Sequence, residues 1–428
     1  MKFKPTYSAV KMLSIGSLTM IAGVLLILFQ KEATRHFIDW LTMYIFMIGL
    51  FNLLSRWFKP REDRESLLAT LSKMVFAGIL ASVNNLTDAP INVIVMLFGI
   101  YELFTASISA ITYALYRHNQ IRPRGRFLVD TIVYGLLGIE ALFAPQQEAN
   151  VQFTMIGVYL LFLGLTYLRD GWFFNADVGH SELKRKFRMN LPIVLVALIP
   201  HKMLRKINDA LQQEVAESAS DVFDMVKDAN AASDLEVFIH VTESGFGAMG
   251  HVDICYQGQV ISYGSYDTLS EKMGGAIGAG VLFKVNRDLY IDFCKRESNK
   301  TLFGYGLRLN AVQKNAIEAR IAELERITTP WQPPSRAIPE KDGTKGKPMY
   351  AYRLQQETGA SLFKFTESKF KSYFVLSTNC VLLADSIIGQ AGTDILSVKG
   401  FISPGTYQDY LEREYQKPNS LVITRSAY

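Results

Sequence analysis

Cysteine is scarce in this chain: 428 residues hold three, Cys255, Cys294 and Cys380. So odd and sparse a set excludes a disulfide framework and offers no Cys-x-x-Cys metal spacing, and it fits a reducing compartment with free thiols. Charge is also thin, 20% of residues against 49% apolar and aromatic, and a net +5 is too small to argue for nucleic acid. The N-terminal MKFKPTYSAVKMLSIGSLTMIAGVLLILF has no small-residue cleavage site, which favours a retained first span over a signal peptide. GGAIGAG, 274–280, lacks the strand–GxGxxG–helix context of a dinucleotide site and reads as a flexible loop.

What the sequence has in abundance is apolar runs, and they crowd its first half. Stretches near 9–29, 37–58, 67–85, 90–116, 127–144 and 151–168 each approach the roughly 20 residues that cross a bilayer, so six spans are expected. The linkers alternate in basic character. Lys2, Lys4 and Lys11, then Arg56, Lys59, Arg61 and Arg64, then Arg117, Arg122, Arg124 and Arg126, and finally SELKRKFR mark one side. The other three linkers hold only Lys31 and Arg35. Lys and Arg concentrate on the cytoplasmic side, so both ends of this half are expected there, as a multi-pass protein of the cell membrane in contact with its lipids.

An internal repeat runs through these spans. AGVL (22–25), AGIL (77–80) and LGIE (137–140) recur in the odd spans, and IGLFNL (48–53), FGIYEL (98–103) and LGLTYL (163–168) in the even ones. Three copies of a helical hairpin explain the pattern, with Gly23, Gly78 and Gly138, then Gly49, Gly99 and Gly164, allowing close helix contact. Glu102 and Glu140 are intramembrane ionisable groups and hence functional candidates. The plainer reading is a Glu that holds the bundle together, through Asn52 or Tyr167 at the same repeat position. These hairpins resemble the HdeD-type acid-resistance membrane proteins over about residues 8–175, which implies a link to acid stress.

Three domains follow: 1–175 in the membrane, 176–234 as a basic connector, and 235–428 as a soluble α+β domain. In the connector, MNLPIVLVALIPHKML has an apolar core of only about ten residues, broken by Pro192 and Pro200, which fits an interfacial segment over 190–202 better than a seventh crossing. KINDALQQEVAESASDVFDMVKDAN reads as an amphipathic helix. LEVFIHVTES alternates as a strand, and GHVDICYQGQVISYG reads as a hairpin turning at Gly258. LNAVQKNAIEARIAELERI is a helix capped by Asn310, and TTPWQPPSRAIPEKDGTKGKP a Pro/Gly-rich loop. FKFTESKFKSYFVLS is strand-like and leads into a helix beginning TNCVLLADSIIG, capped by Thr378 or Asn379.

Cys380 therefore falls in the first turn of a helix, where unpaired backbone N–H groups and the positive end of the dipole favour a thiolate and can receive an oxyanion. Asn379 and Cys380 are the candidates for that cap and oxyanion site. A nucleophile needs a base, and only His240 and His251 lie in this domain. His251 sits in the hairpin, whereas His240, on an apolar strand, reads as a core or edge histidine. Cys255 shares the His251 strand face as a packed neighbour, and Cys294 is most simply structural. Lys364, Lys369 and Lys371 read as a solvated strand face. One free Cys and one His make no metal site, and no cofactor is implied.

The order GHVDICYQGQVISYG and then STNCVLLAD resembles the circularly permuted NlpC-type papain-like fold, which includes the lecithin–retinol acyltransferase-like enzymes, over about 236–415. The resemblance implies Cys380 as nucleophile, His251 as general base and a third polar group to orient the imidazole. Relatives often carry a second His on the returning strand. Here that region reads VISYGSYD, and Tyr263 is the choice, with Asp253 and Asp267 behind it. The expectation is a membrane-anchored thiol acyl hydrolase or acyltransferase acting on an amide or ester of a lipid or acylated protein. The alternative is a non-enzymatic membrane stress or assembly protein whose papain-like domain binds a partner. A third reading, transport through the hairpins, has few polar groups in the spans to support it.

Overall fold

The computed structural model describes residues 8–58, 65–174, 225–226, 232–241, 250–298, 301–335, 348–391 and 404–428. The chain forms two compact units, one of residues 15–113 and 125–165, the other of residues 1–14, 114–124 and 166–428. The interfacial segment expected over 190–202 lies outside the described residues.

The N-terminal region is all helical: α1 (Ala9–Ser55), α2 (Leu67–Leu86), α3 (Ala89–His118), α4 (Gly125–Phe143) and α5 (Pro145–Trp172). Four of these, α1, α2, α3 and α5, are long and apolar enough to cross a membrane. Helical geometry breaks within α1 at Gln30, whose φ of 49° is left-handed. Ser66 caps α2 by accepting from the Ala69 N–H at 3.1 Å. Hydroxyls inside the apolar helices are satisfied locally: Thr19 donates to Ile15 O, Thr112 to Ile108 O and Thr131 to Phe127 O. Local satisfaction of this kind suits a helix with no water beside it. Large apolar side chains such as Leu18, Phe51, Phe76, Leu97 and Ile132 point outward and are exposed, as lipid-facing residues do.

The recurring glycines mark where helices touch. A Cβ on Gly23 would lie 2.7 Å from Gly157 O, joining the first part of α1 to α5. One on Gly49 would meet Met74 Cγ at 2.5 Å, joining the second part of α1 to α2, and one on Gly99 would lie 3.0 Å from Gly138 O, joining α3 to α4. Gly164 packs against Gly16 and Met20 of α1 in the same manner. Gly78 is the exception, with nothing within 4 Å of its added Cβ.

Among the described residues, the other unit is built on a nine-stranded antiparallel sheet. Its strands are β1 (Met225–Val226), β2 (Leu235–Val241), β3 (His251–Tyr256), β4 (Gln259–Gly264), β6 (Val281–Asn286), β7 (Thr301–Leu307), β8 (Thr328–Pro330), β9 (Ser361–Phe365) and β11 (Val422–Ala427). Their order is β1-β11-β7-β2-β3-β4-β6-β9-β8. A second, two-stranded sheet pairs β5 (Ile277–Ala279) with β10 (Ser372–Phe374). The helices are α6 (Arg287–Ser298), α7 (Ala311–Arg326), α8 (Tyr350–Thr358), α9 (Cys380–Ile388) and α10 (Pro404–Gln416).

Strand alternation explains how both sheet faces are buried. Val252, Ile254, Ile261 and Tyr263 join Ile317 of α7, Val381 and Ile387 of α9, and Tyr407 and Leu411 of α10 in one core. Phe238, Cys255, Val260 and Phe283 join Tyr290 and Phe293 of α6 and Leu354 of α8 in the other. The β3–β4 turn runs through Gln257 (φ 50°) and Gly258 (φ 74°), the left-handed pair that a two-residue hairpin demands. Asn310 caps α7 with a reciprocal capping box to Gln313.

Three local expectations are corrected here. Met225 and Val226, expected within a helix, pair with Arg425 and Thr424 at the edge of β11. The GGAIGAG run is not merely a loop, because Ile277–Ala279 forms β5, and a Cβ on Gly280 would collide with Phe370 O at 1.8 Å. Thr328–Pro330, expected as loop, is the edge strand β8.

Candidate functional site

Cys380 is the first residue of α9, with Asn379 as its cap. Asn379 Oδ1 accepts from the Leu382 N–H at 3.0 Å, while its Nδ2 donates to Val375 O at 2.9 Å. Both ends of that amide are therefore committed to holding the helix start. Thr378 instead donates to Ser372 O at 2.8 Å, so Asn379 is the cap of the two candidates. Any oxyanion at this helix start is left to the amides of Cys380 and Val381, the first two of the helix; Asn379 serves as cap and not as side-chain donor.

The β3–β4 ladder ends at the Ile254↔Ile261 pair, whereas β2 stays paired with β3 as far as His240↔His251. Beyond the end of that ladder, β3 and β4 carry a polar cluster. His251 Nε2 lies 2.8 Å from Asp253 Oδ1, 3.0 Å from Ser262 Oγ and 3.0 Å from Tyr266 Oη. Ser262 and Tyr266 hydroxyls are themselves 2.7 Å apart. With Nε2 so occupied, Nδ1 is the nitrogen left for Cys380, whose side chain lies beside the imidazole. Tyr373 of β10 also lies beside Cys380. The structure thus brings Cys380 and His251 together.

Asp253 is wholly buried, and its second oxygen is also held. Oδ2 lies 2.6 Å from His240 Nε2 and accepts from Tyr290 Oη at 2.8 Å. Burial alone would raise this carboxyl, but His251 and His240 outweigh it and hold Asp253 well below the usual carboxylate range. Burial likewise opposes charge on His251, yet the charges and hydrogen bonds of Asp253 and Cys380 prevail and raise it to about 10. Burial pushes the Tyr266, Tyr290 and Tyr373 phenols well up, so each is a neutral O–H group near pH 7. The arrangement is thiol, imidazole, carboxylate, with the last two fixed by further donors. That order suits nucleophilic acyl transfer.

The third position is corrected. Tyr263 is buried with its hydroxyl donating to Phe370 O at 3.0 Å, on the sheet face opposite Asp253. Asp267 caps a 3-10 turn over Thr268–Ser270 and accepts from Lys364 Nζ at 2.7 Å, so neither residue orients His251. The Lys364 partnership also removes that residue from the solvated face expected for it. His-x-Asp on one strand was the available signal, because residues two apart share a face. His240, read as a core or edge histidine, belongs to the site through Asp253. Its place directly across from His251 depends on the β2–β3 register, which the sequence does not display.

Cys255 and Cys294 are buried in the core on the sheet face that carries His251 and Asp253. Burial, with Glu236 adding to it, raises the Cys255 thiol to about 12, the opposite of an activated nucleophile.

In the helical region, Glu102 is buried and accepts from Gln152 Nε2 at 3.1 and 3.0 Å, one distance per oxygen. Its partner is Gln152, not the Asn52 or Tyr167 expected, and Asn52 instead donates to Glu65 Oε2 at 2.9 Å. Glu140 is exposed on α4. Among the described residues no group of His, Cys, Asp and Glu is arranged to hold a metal ion. No family model, curated protein or solved structure matches the chain.

Proposed function

We propose that this chain is a membrane-anchored thiol acyl hydrolase or acyltransferase, with Cys380, His251 and Asp253 as its working residues. The observation that carries the reading is the line from the Cys380 thiol through His251 to the buried carboxylate of Asp253, 2.8 Å beyond. In the resting pair the thiol proton already sits on His251, and in the first step Cys380 Sγ attacks the carbonyl carbon of an ester or amide as the thiolate. The oxyanion meets the first amides of α9. Collapse breaks the carbon–leaving-group bond, His251 gives its proton to the departing alcohol or amine, and a thioester remains on Cys380. Water or an acceptor hydroxyl or amine then attacks the thioester, gives its proton to His251, and Cys380 leaves as the thiolate, which restores the resting pair. Asp253 keeps the imidazole oriented and balances its positive charge throughout. The permuted papain-like likeness, with its His hairpin before an Asn-Cys helix start, points the same way.

The same proposal extends to the membrane half. It comprises six crossings, with α1 supplying two on either side of Gln30 and α4 the fifth, and both ends cytoplasmic as the Lys and Arg distribution favours. The hairpin repeat and its glycines support the likeness to HdeD-type proteins. Anchoring concentrates lipids and acylated membrane proteins near the thiol, which favours them as substrates.

One observation favours the second reading, a domain that binds without turnover: Cys380 is only 3% exposed. Incubation with a p-nitrophenyl acyl ester separates the two. The enzyme reading expects release of p-nitrophenol and an acyl adduct on the Cys380 peptide, absent from Cys380→Ser and slowed in His251→Ala. No adduct, with iodoacetamide labelling of Cys380 indifferent to His251→Ala, would give the binding reading the lead.

A further inference from the structure

Asp253 faces cationic or hydroxyl groups in two directions, and only one of them leads to Cys380. Oδ1 faces His251 at 2.8 Å, while Oδ2 faces His240 at 2.6 Å and Tyr290 at 2.8 Å. His240 and His251 are cross-strand partners, their rings 5.6 Å apart and edge-on, so the carboxylate bridges two imidazoles that do not stack. His240 is 4% exposed and Tyr290 1%. A lone buried carboxylate can rotate about its final torsion and offer either oxygen. Tyr290 donating to Oδ2, with His240 Nε2 in ion-pair contact with the same oxygen, removes that freedom and leaves Oδ1 aimed at His251. Both rest on elements other than β3: His240 on β2, Tyr290 on α6, where it packs with Phe283 and Cys294.

We infer that His240, seconded by Tyr290, is a positioning residue that locks the Asp253 carboxylate toward His251 and thereby sets the pairing of His251 with Cys380. This rests on the thiol–imidazole reading above and extends it one residue beyond the nucleophile, base and orienting acid. His240 is placed against Asp253, on the side of the carboxylate away from His251. Its effect travels through Asp253, as outer hydrogen-bond partners do when they orient a functional imidazole.

The test is the iodoacetamide labelling rate of the Cys380 peptide at pH 6.5, taken as a fraction of the rate at pH 9. The full-length protein in detergent would be compared as wild type, His240→Ala, His240→Gln, Tyr290→Phe and His251→Ala. The fraction should fall about tenfold in His240→Ala, within the range seen when an outer hydrogen-bond partner is removed. Gln restores an N–H donor and should recover most of the loss. Tyr290→Phe, which keeps the packing, should show a smaller fall in the same direction. That variant still decides the matter should His240→Ala fail to fold. A wild-type fraction in both His240→Ala and Tyr290→Phe, or an equal fall in Gln and Ala, would overturn the inference. His251→Ala keeps the two claims apart. If it leaves the fraction unchanged, the thiol–imidazole reading itself falls; if it lowers the fraction while His240 and Tyr290 variants do not, only the positioning role is lost.

Discussion

Asp253 Oδ1 stands 2.8 Å from His251 Nε2, two residues along the same strand, with the carboxylate wholly buried. A buried carboxylate behind an imidazole fixes its tautomer and stabilises its charged form, which a neutral amide of the same shape does not. Asp253→Asn should therefore lower Cys380 labelling at pH 6.5 by at least about tenfold, in line with the loss seen when such a carboxylate is neutralised. Tyr263→Phe is the contrast. It removes the hydrogen bond to Phe370 O and should cost about 1 kcal/mol of stability without slowing labelling. Equal labelling losses in the two variants would return Tyr263 to the site.

The same pair sets a pH dependence of stability. His251 is raised from 6.5 to about 10 in the fold. Its contribution is fully present below the unfolded value near 6.5 and is lost as pH rises through the folded value. Asp253 works in the other direction: depressed well below 3.8, it contributes above that value and loses the contribution as pH falls through its folded one. Apparent Tm in detergent should decline from pH 7 to pH 10 in wild type, and His251→Gln should flatten that decline. Parallel curves for the two proteins would mean that His251 is not held as the imidazolium.

Much of this was legible in the sequence, and the reasons differ by element. The hairpin turn needed left-handed backbone at its second position and Gly258 announced it. The capping box of Asn310 and Gln313 is a local exchange of hydrogen bonds, so a local reading finds it. Cys380 at a helix start and His251 on a hairpin strand were readable for the same reason. Asp253 was legible through its period-two spacing yet lost to Tyr263, because the third group was sought on the returning strand. His240 was not legible at all: its role exists only once β2 lies antiparallel to β3 in the register His240↔His251. Likewise Met225 and Val226 pair with β11 across some two hundred residues of chain, and no local pattern encodes that partner. Gln152 escaped for a related reason, since its contact with Glu102 joins helices fifty residues apart in sequence.

The glycines of the helical unit offer a graded test. Added Cβ atoms on Gly99 and Gly157 would meet neighbouring backbone at 3.0 and 2.8 Å, whereas Gly78 has open space around it. Gly99→Ala and Gly157→Ala should each lower stability by about 1–3 kcal/mol through overpacking. Gly78→Ala should be neutral or stabilising by up to about 1 kcal/mol, from helix propensity. Unfolding of the detergent-solubilised protein, followed by circular dichroism, reads all three. Equal destabilisation by Gly78→Ala would show that the repeat glycines act through something other than close approach.

Glu102 and Gln152 separate structural from functional use of an acid buried between apolar helices. Both carboxyl oxygens accept from one Gln152 amide nitrogen, so the pair is a helix-to-helix link between α3 and α5. Glu102→Gln keeps a hydrogen-bonding partner of the same shape and should change stability by less than about 0.5 kcal/mol. Gln152→Leu leaves buried oxygens without that donor and should cost about 1–3 kcal/mol. In the Glu102→Leu/Gln152→Leu double variant no polar atom is left stranded, so stability should recover above that of Gln152→Leu alone. Such recovery defines a coupling between the two side chains, of the order of 1 kcal/mol for hydrogen bonds between helices in a membrane. If the losses of the single variants simply add, the link is not what keeps Glu102 inside the bundle, and a role in moving protons or ions becomes the better account of a buried acid at that depth.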